Sequence, residues 1–158
     1  LVNYATRGGA MPLEVRGRPF RGVDEAGTAK AVEQRMRLPG WFANNRVSLA
    51  PVKGAPSGRY RTVLVFNPAE ASTAGDDVCG PPDRVALAPP ADLARVVAAF
   101  CAGSDSVSEV RGSVAADGAD DPAFGQLLYQ LSATLFPLRN PTLDRDCGPL
   151  FPFRRPCL

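Results

Sequence analysis

Hydrophobic and polar positions alternate most regularly in "RYRTVLVFN" (59–67), where Tyr60, Thr62, Leu64 and Phe66 fall on one face and Val63 and Val65 on the other. A run that is apolar on both faces belongs in the middle of a sheet. "RVSLAPV" (46–52) alternates Val47 and Leu49 with polar neighbours. The intervening "KGAPSG" has turn chemistry, so these two runs predict an antiparallel hairpin. "LARVVAAFC" (93–101) fits two patterns. Leu93, Val96, Val97 and Phe100 keep helical spacing, yet the run also suits a strand leading through the turn "GSDS" into "VSEVRGSV" (107–114). The hairpin is the reading adopted, because Val107, Val110 and Val114 extend no helix and the turn chemistry is good.

Two segments show helical periodicity. "DEAGTAKAVEQRMRL" opens with acidic residues suited to a helix N-terminus, places Ala29, Val32 and Met36 on one face, and closes with Arg35 and Arg37 before Pro39-Gly40. In "DDPAFGQLLYQLSATLFP", Asp121 is an N-cap and Pro122 takes the first helical position. Phe124, Leu127, Leu128, Leu131 and Leu135 then follow the i, i+3, i+4, i+7 rule until Pro137.

The segments between are irregular. Residues 67–92 carry five prolines and predict an extended surface loop anchored at Cys79. In residues 1–22 only "MPLEV" has the makings of a strand. The fold class expected is therefore α+β: an antiparallel sheet of about four strands packed by two helices. Residues 23–137 form that domain, 1–22 an irregular extended arm, and 138–158 a proline-rich tail closed by a disulfide. Sixteen prolines and fifteen glycines agree with short elements and long connections, while 45% hydrophobic residues over 158 positions are enough for a core.

The net charge is +2, but residues 1–68 carry eleven basic and four acidic groups, residues 69–122 carry three and ten, and residues 123–158 carry four and two. The expectation is that the fold interleaves these segments and cancels the asymmetry. No stretch reaches the ~18 apolar residues of a membrane helix. The first residue is Leu1 rather than Met, which fits a cleaved signal peptide or a lipid-anchored cysteine just upstream.

Four cysteines, Cys79, Cys101, Cys147 and Cys157, occur with no histidine. Their spacing lacks the close pairs of a zinc site or a C-x-x-C redox motif, and a catalytic thiol would want an imidazole. Disulfides are the expected state. Local pairing would join Cys79 to Cys101 and Cys147 to Cys157, one of three connectivities, and would place the protein in an oxidising compartment: periplasm, cell surface or exterior.

Other chemistry is sparse. Asp120-Asp121 reads as a helix cap and Asp76-Asp77 as solvated loop. Lys30 and Lys53 are the available bases for a serine hydrolase, without a G-x-S-x-G or S-x-x-K motif. "TRGGAMP" has glycines but no phosphate-loop lysine. The arginines and aromatics of "RYRTVLVF" are explained by a central strand, so no nucleic-acid partner is expected, nor any metal or cofactor. Trp41-Phe42 either lids the core or forms a ligand platform. In the tail, Leu150, Phe151, Phe153, Arg154 and Arg155 either pack on their own domain or present an apolar, cationic knob to a partner.

The stretches "RYRTVLVFNP", "RVVAAFCAGSDSVSEVRGSV" and "DDPAFGQLLYQLSATLFP" together resemble the β-α-β-β-β-α domains of small Gram-negative envelope lipoproteins, including the lipopolysaccharide-assembly lipoproteins. They cover about a third of the chain, which carries one more strand between its helices than that order. The resemblance implies an envelope location and a role as an assembly part. The expected function is a non-enzymatic periplasmic or envelope accessory subunit that binds a protein partner through its arms, with a lipid anchor outside these residues as one means of membrane association. The alternative is a small-molecule or glycan module using Trp41 and Phe42 with Asp76 and Asp77 nearby.

Overall fold

The computed structural model of the protein describes residues 1–53 and 59–137. Its elements in chain order are α1 (Val2–Ala5), β1 (Met11–Arg16), α2 (Glu25–Arg35), β2 (Val47–Ser48), β3 (Tyr60–Phe66), α3 (Gly75–Cys79), a single 3-10 turn (Pro82–Arg84), β4 (Leu93–Ala102), β5 (Asp105–Ala115) and α4 (Pro122–Leu135). The fold is α+β, as expected. The sheet, however, has five strands in the order β2-β1-β3-β4-β5 and is mixed, not antiparallel throughout.

The difference arises at β1. The expected hairpin of 46–52 with 59–67 does not form, because β1 lies between β2 and β3 and runs parallel to both, pairing Met11 with Val47 and Leu13 through Arg16 with Thr62 through Val65. Residues 1–22 are therefore not an arm but supply an interior strand. Met11, Leu13 and Val15 are buried on one face. Glu14 and Arg16 occupy the other face, and "MPLEV", the one stretch of residues 1–22 with the makings of a strand, is the body of this element. A parallel β1–β2 pair needs a crossover, and α2 provides it. Its N-terminus is capped by Asp24, whose side chain accepts from the Gly27 N–H.

Beyond β1 the sheet is as the sequence implies: β3 pairs antiparallel with β4, and β4 with β5. Alternation of β4 between two covered faces explains its nearly unbroken apolar run. Ala94, Val96, Ala98 and Phe100 join the larger core under α2 and α4. Val97, Ala99 and Cys101 join a smaller one with Val63, Val65, Val78, Cys79 and Val85. In the larger core Phe124 meets Phe20 and Phe66 at ring separations of 5.1 and 5.9 Å, and Phe100 meets Phe136 at 5.4 Å.

Two tight passages hold the strand ends. Gly17, just past β1, has φ +82°, and a Cβ there would strike the Phe66 carbonyl, so only glycine brings the chain this close to β3. Asn67, with φ 49°, closes the same end: its side-chain amide donates to the Arg18 carbonyl and accepts from the Arg95 N–H, both at 2.9 Å.

The segment 67–92, expected as loop, contains α3 and the 3-10 turn. Five residues of helix are too few to show periodicity, and α3 is fixed by partners distant in sequence. Glu109 accepts from the Gly75 N–H, Asp76 accepts from the Ser106 N–H at 2.7 Å, and Cys79 is joined to Cys101.

At α4, the Asp121 carboxylate accepts from the N–H groups of Ala123 and Asp117, and these bonds, the former foremost, hold its pKa below the ordinary carboxylate value. A depressed folded-state pKa contributes stability that is complete above the unfolded value of about 3.9 and is lost as pH falls through the lower folded value. Acid titration followed by NMR should therefore show the Ala123 and Asp117 amides shifting below the ordinary aspartate range. Asp121→Asn should abolish that titration.

Candidate functional site

Of the cysteines, Cys79 and Cys101 form a disulfide with Cα atoms 5.5 Å apart, buried within the domain body between α3 and β4. The bond is compatible with an oxidising compartment. The expected tail pair, Cys147 and Cys157, and the expected partner-binding residues Leu150, Phe151, Phe153, Arg154 and Arg155, lie outside the described residues.

The arginines of β1 and β3 surround this disulfide. Glu14 takes the Arg16 Nε at 2.7 Å on one carboxylate oxygen and the Arg61 Nε at 3.2 Å on the other. Arg61 also donates to the carbonyls of Gly103 (2.8 Å) and Cys79 (2.6 Å), and Arg16 to that of Gly80 (3.1 Å). Both guanidiniums hold the chain around Cys79 against β1 and β3, Arg61 through all three of its nitrogens and Arg16 through Nε and Nη2, its Nη1 being buried without a partner among the described residues. Tyr60 faces inward, 6.1 Å from Phe100. Of the "RYRTVLVF" arginines and aromatics, Arg61, Tyr60 and Phe66 serve the interior, while Arg59 is exposed and lies over the Tyr60 ring at 5.8 Å.

Trp41 and Phe42 separate in role. Phe42 packs against the larger core, edge-on to Phe136 at 6.2 Å, while Trp41 is 48% exposed. Asp76 and Asp77 belong to α3, which covers the opposite face of the sheet. The shared cleft expected for a small-molecule module does not form, because the sheet lies between its two halves. Asp77 accepts from the Ala74 N–H, so both aspartates act on backbone rather than standing as free loop charges.

The same holds for half of the carboxylates among the described residues. Asp24, Glu25, Glu33, Asp76, Asp77, Glu109 and Asp121 each accept from a backbone N–H. Among the described residues no three His, Cys, Asp or Glu side chains converge as a metal site. No helix there is long and apolar enough to cross a membrane.

What the fold does create is a division of charge. The strand order places β2, β1 and β3, all from residues 1–68, on one side and β4 and β5, from residues 69–122, on the other. The first segment carries eleven basic and four acidic groups, net +7, and the second three and ten, net −7. The strands do not interleave as expected, although the chain around Cys79 and Gly80 crosses back over β1 and β3. α4 carries no charged residue, so it does not blur the boundary. Among the described residues, two ion pairs cross it, Arg21–Asp92 (3.4 Å) and Arg35–Asp120 (2.7 Å), leaving most of the imbalance in place.

On the basic side, a cleft of about 670 Å³ opens beside β2, lined by Gly8, Gly9, Glu33, Arg37, Arg46, Ser48 and Lys53 among others. Three cations face one carboxylate, and that carboxylate is engaged with the Leu49 N–H at 2.8 Å. Arg37 donates to the carbonyls of Glu33 and Met36. Among the described residues no carboxylate pairs with Arg46 or Lys53. Ser48 and Lys53 share the cleft without a hydrogen bond between them there. Sequence reasoning missed this site because its residues come from three separated segments that only the β2-β1 pairing brings together. The excess of basic groups before residue 69 was the available signal.

No family model matches the chain, and comparison with curated proteins and with solved structures likewise finds no match. The resemblance to envelope lipoproteins therefore stays one of element order.

Proposed function

We propose that this protein is a non-enzymatic accessory subunit of the periplasm or cell envelope that binds a protein partner, with the basic side of the sheet as its principal contact surface. The observation that carries this reading is the charge division: a cleft with Arg37, Arg46 and Lys53 against one engaged carboxylate favours an acidic polypeptide surface and repels a basic one. The disulfide supports the oxidising location, and the structural use of the carboxylates supports a binding role over acid–base chemistry. The tail residues Leu150, Phe151, Phe153, Arg154 and Arg155 would add an apolar and cationic contact of the same sign.

Charge reversal tests this. Arg46→Glu combined with Lys53→Glu alters two exposed side chains and should leave the thermal midpoint unchanged. Affinity for a partner isolated with the wild-type protein at low salt should fall at least tenfold, mostly through slower association. Equal affinity of wild type and variant would refute the assignment of this surface.

A further inference from the structure

Resting on the reading just given, we infer that one partner of the basic side is a second copy of this chain, which presents its acidic β5 edge in a head-to-tail contact. The two charged sides lie at opposite edges of one sheet. β2 and β5 are the outermost of five strands, roughly 19 Å apart at the usual strand spacing. The basic cleft flanks β2. At the other edge β5 runs eleven residues, and among the described residues no strand pairs with its outer side. A long open edge is a template for pairing with another chain unless something covers it.

The acidic groups gather about that edge. Asp105 opens β5, Glu109 projects from its middle, Asp117 and Asp120 follow its end, and α3 brings Asp76 and Asp77 against the same strand. Of these Glu109 pairs with Arg111 of β5 and Asp120 with Arg35, and the other four outnumber the cations at this edge. Asp105 and Asp117 are exposed, with no cation paired to either among the described residues. Val107, 45% exposed, adds an apolar point to the edge.

Charge decides the geometry of association. A two-fold contact through β5 would set Asp105, Asp117 and the α3 aspartates of one copy against the same groups of the other, with Arg111 offsetting only Glu109. A two-fold contact through the β2 edge would oppose Arg37, Arg46 and Lys53 to themselves. Both juxtapose like charges at close range, whereas β5 of one copy against the basic cleft of the next juxtaposes opposite ones. A contact between different patches is heterologous, so a pair of copies keeps one free face of each kind and assembly continues to a ring or a filament.

Sedimentation velocity of the full chain tests this. In ~20 mM salt the wild type should show concentration-dependent species larger than a dimer, and at ~500 mM it should sediment as a monomer, because screening removes the attraction. Two variants isolate the faces: R46Q/K53Q removes the charge of the basic one, and D105N/D117N removes that of the acidic one while sparing the carboxylates that hold α3. Each alone should be monomeric at low salt. Mixed in equal amounts they should form a discrete dimer and nothing larger, since the intact acidic face of the first meets the intact basic face of the second. A wild type that is monomeric at ~20 mM salt, or a mixture no more associated than its components, overturns self-association. Binding of a different acidic protein by the same monomer would then still uphold the functional reading, and loss of that binding too would end both.

Discussion

Phe124→Ala is expected to destabilise the domain by about 3–5 kcal/mol, the range for emptying an aromatic site in a closed core. Phe124 has no solvent exposure and is the point where α4 meets the sheet and the β1–α2 connection, through Phe66 on one side and Phe20 on the other. Removing the ring leaves both neighbours facing a void that neither backbone can close. Since domains of this size are stable by only about 5–15 kcal/mol, the variant should be partly unfolded at moderate temperature. Urea denaturation measures the loss, with Phe124→Leu as the control, which keeps most of the volume and should cost less than about 2 kcal/mol. Equal midpoints for the alanine variant and the wild type would mean that α4 is not seated on the sheet as described.

The second large effect concerns the disulfide. Cys79 and Cys101 are 22 residues apart, and in the chain-entropy model a loop of that length restricts the unfolded chain by about 3 kcal/mol. Replacing both with alanine should therefore lower the melting temperature by roughly 10 °C in the absence of reductant. Reductant should bring the wild type to the same value, once the buried bond is reached by unfolding. α3 should be the first element released: besides this bond it is held by the Gly75–Glu109 and Ser106–Asp76 contacts. Hydrogen exchange should accordingly rise at residues 75–79 before it rises in β4. A wild type whose melting is indifferent to reductant would remove the structural argument for an oxidising compartment.

Several elements were legible from local pattern. α4 declared itself by its cap, its proline and five apolar residues in register, and the structure keeps Asp121 and Pro122 in those roles. The β4–β5 hairpin and the centrality of β3 followed from alternation, since a strand covered on both faces has no polar side to show. β1 was legible as the candidate strand "MPLEV", but its interior place was not, because Glu14 and Arg16 are polar residues that the fold ion-pairs beside the disulfide rather than exposing. Its parallel pairing with β2 and β3 leaves no local signature either, because parallel neighbours are joined by crossovers and not by recognisable turns. The hairpin expected between 46–52 and 59–67 failed for this reason alone.

The site was less legible than the fold. The pairing of Cys79 with Cys101 was the local choice among three connectivities that the sequence left open, and the uneven charge was visible by counting. Whether that charge survives folding depends on strand order, which no local pattern encodes. Here the basic and acidic segments stay on separate sides because the N-terminal three strands and the next two form separate halves of one sheet. The basic cleft needed one step more, the meeting of Gly8-Gly9 with the end of α2 and the residues after β2.

The chain has two lysines, Lys30 and Lys53, and the second lines the cleft. Zero-length amine-to-carboxylate crosslinking in intact cells, followed by mass spectrometry without reduction, therefore reads the contact surface and the state of Cys79 and Cys101 together. The account predicts Lys53 joined to a carboxylate of another polypeptide, with Cys79 and Cys101 linked in the same molecules. Lys53 joined to nothing beyond its own chain, with Cys79 and Cys101 as free thiols, would contradict it.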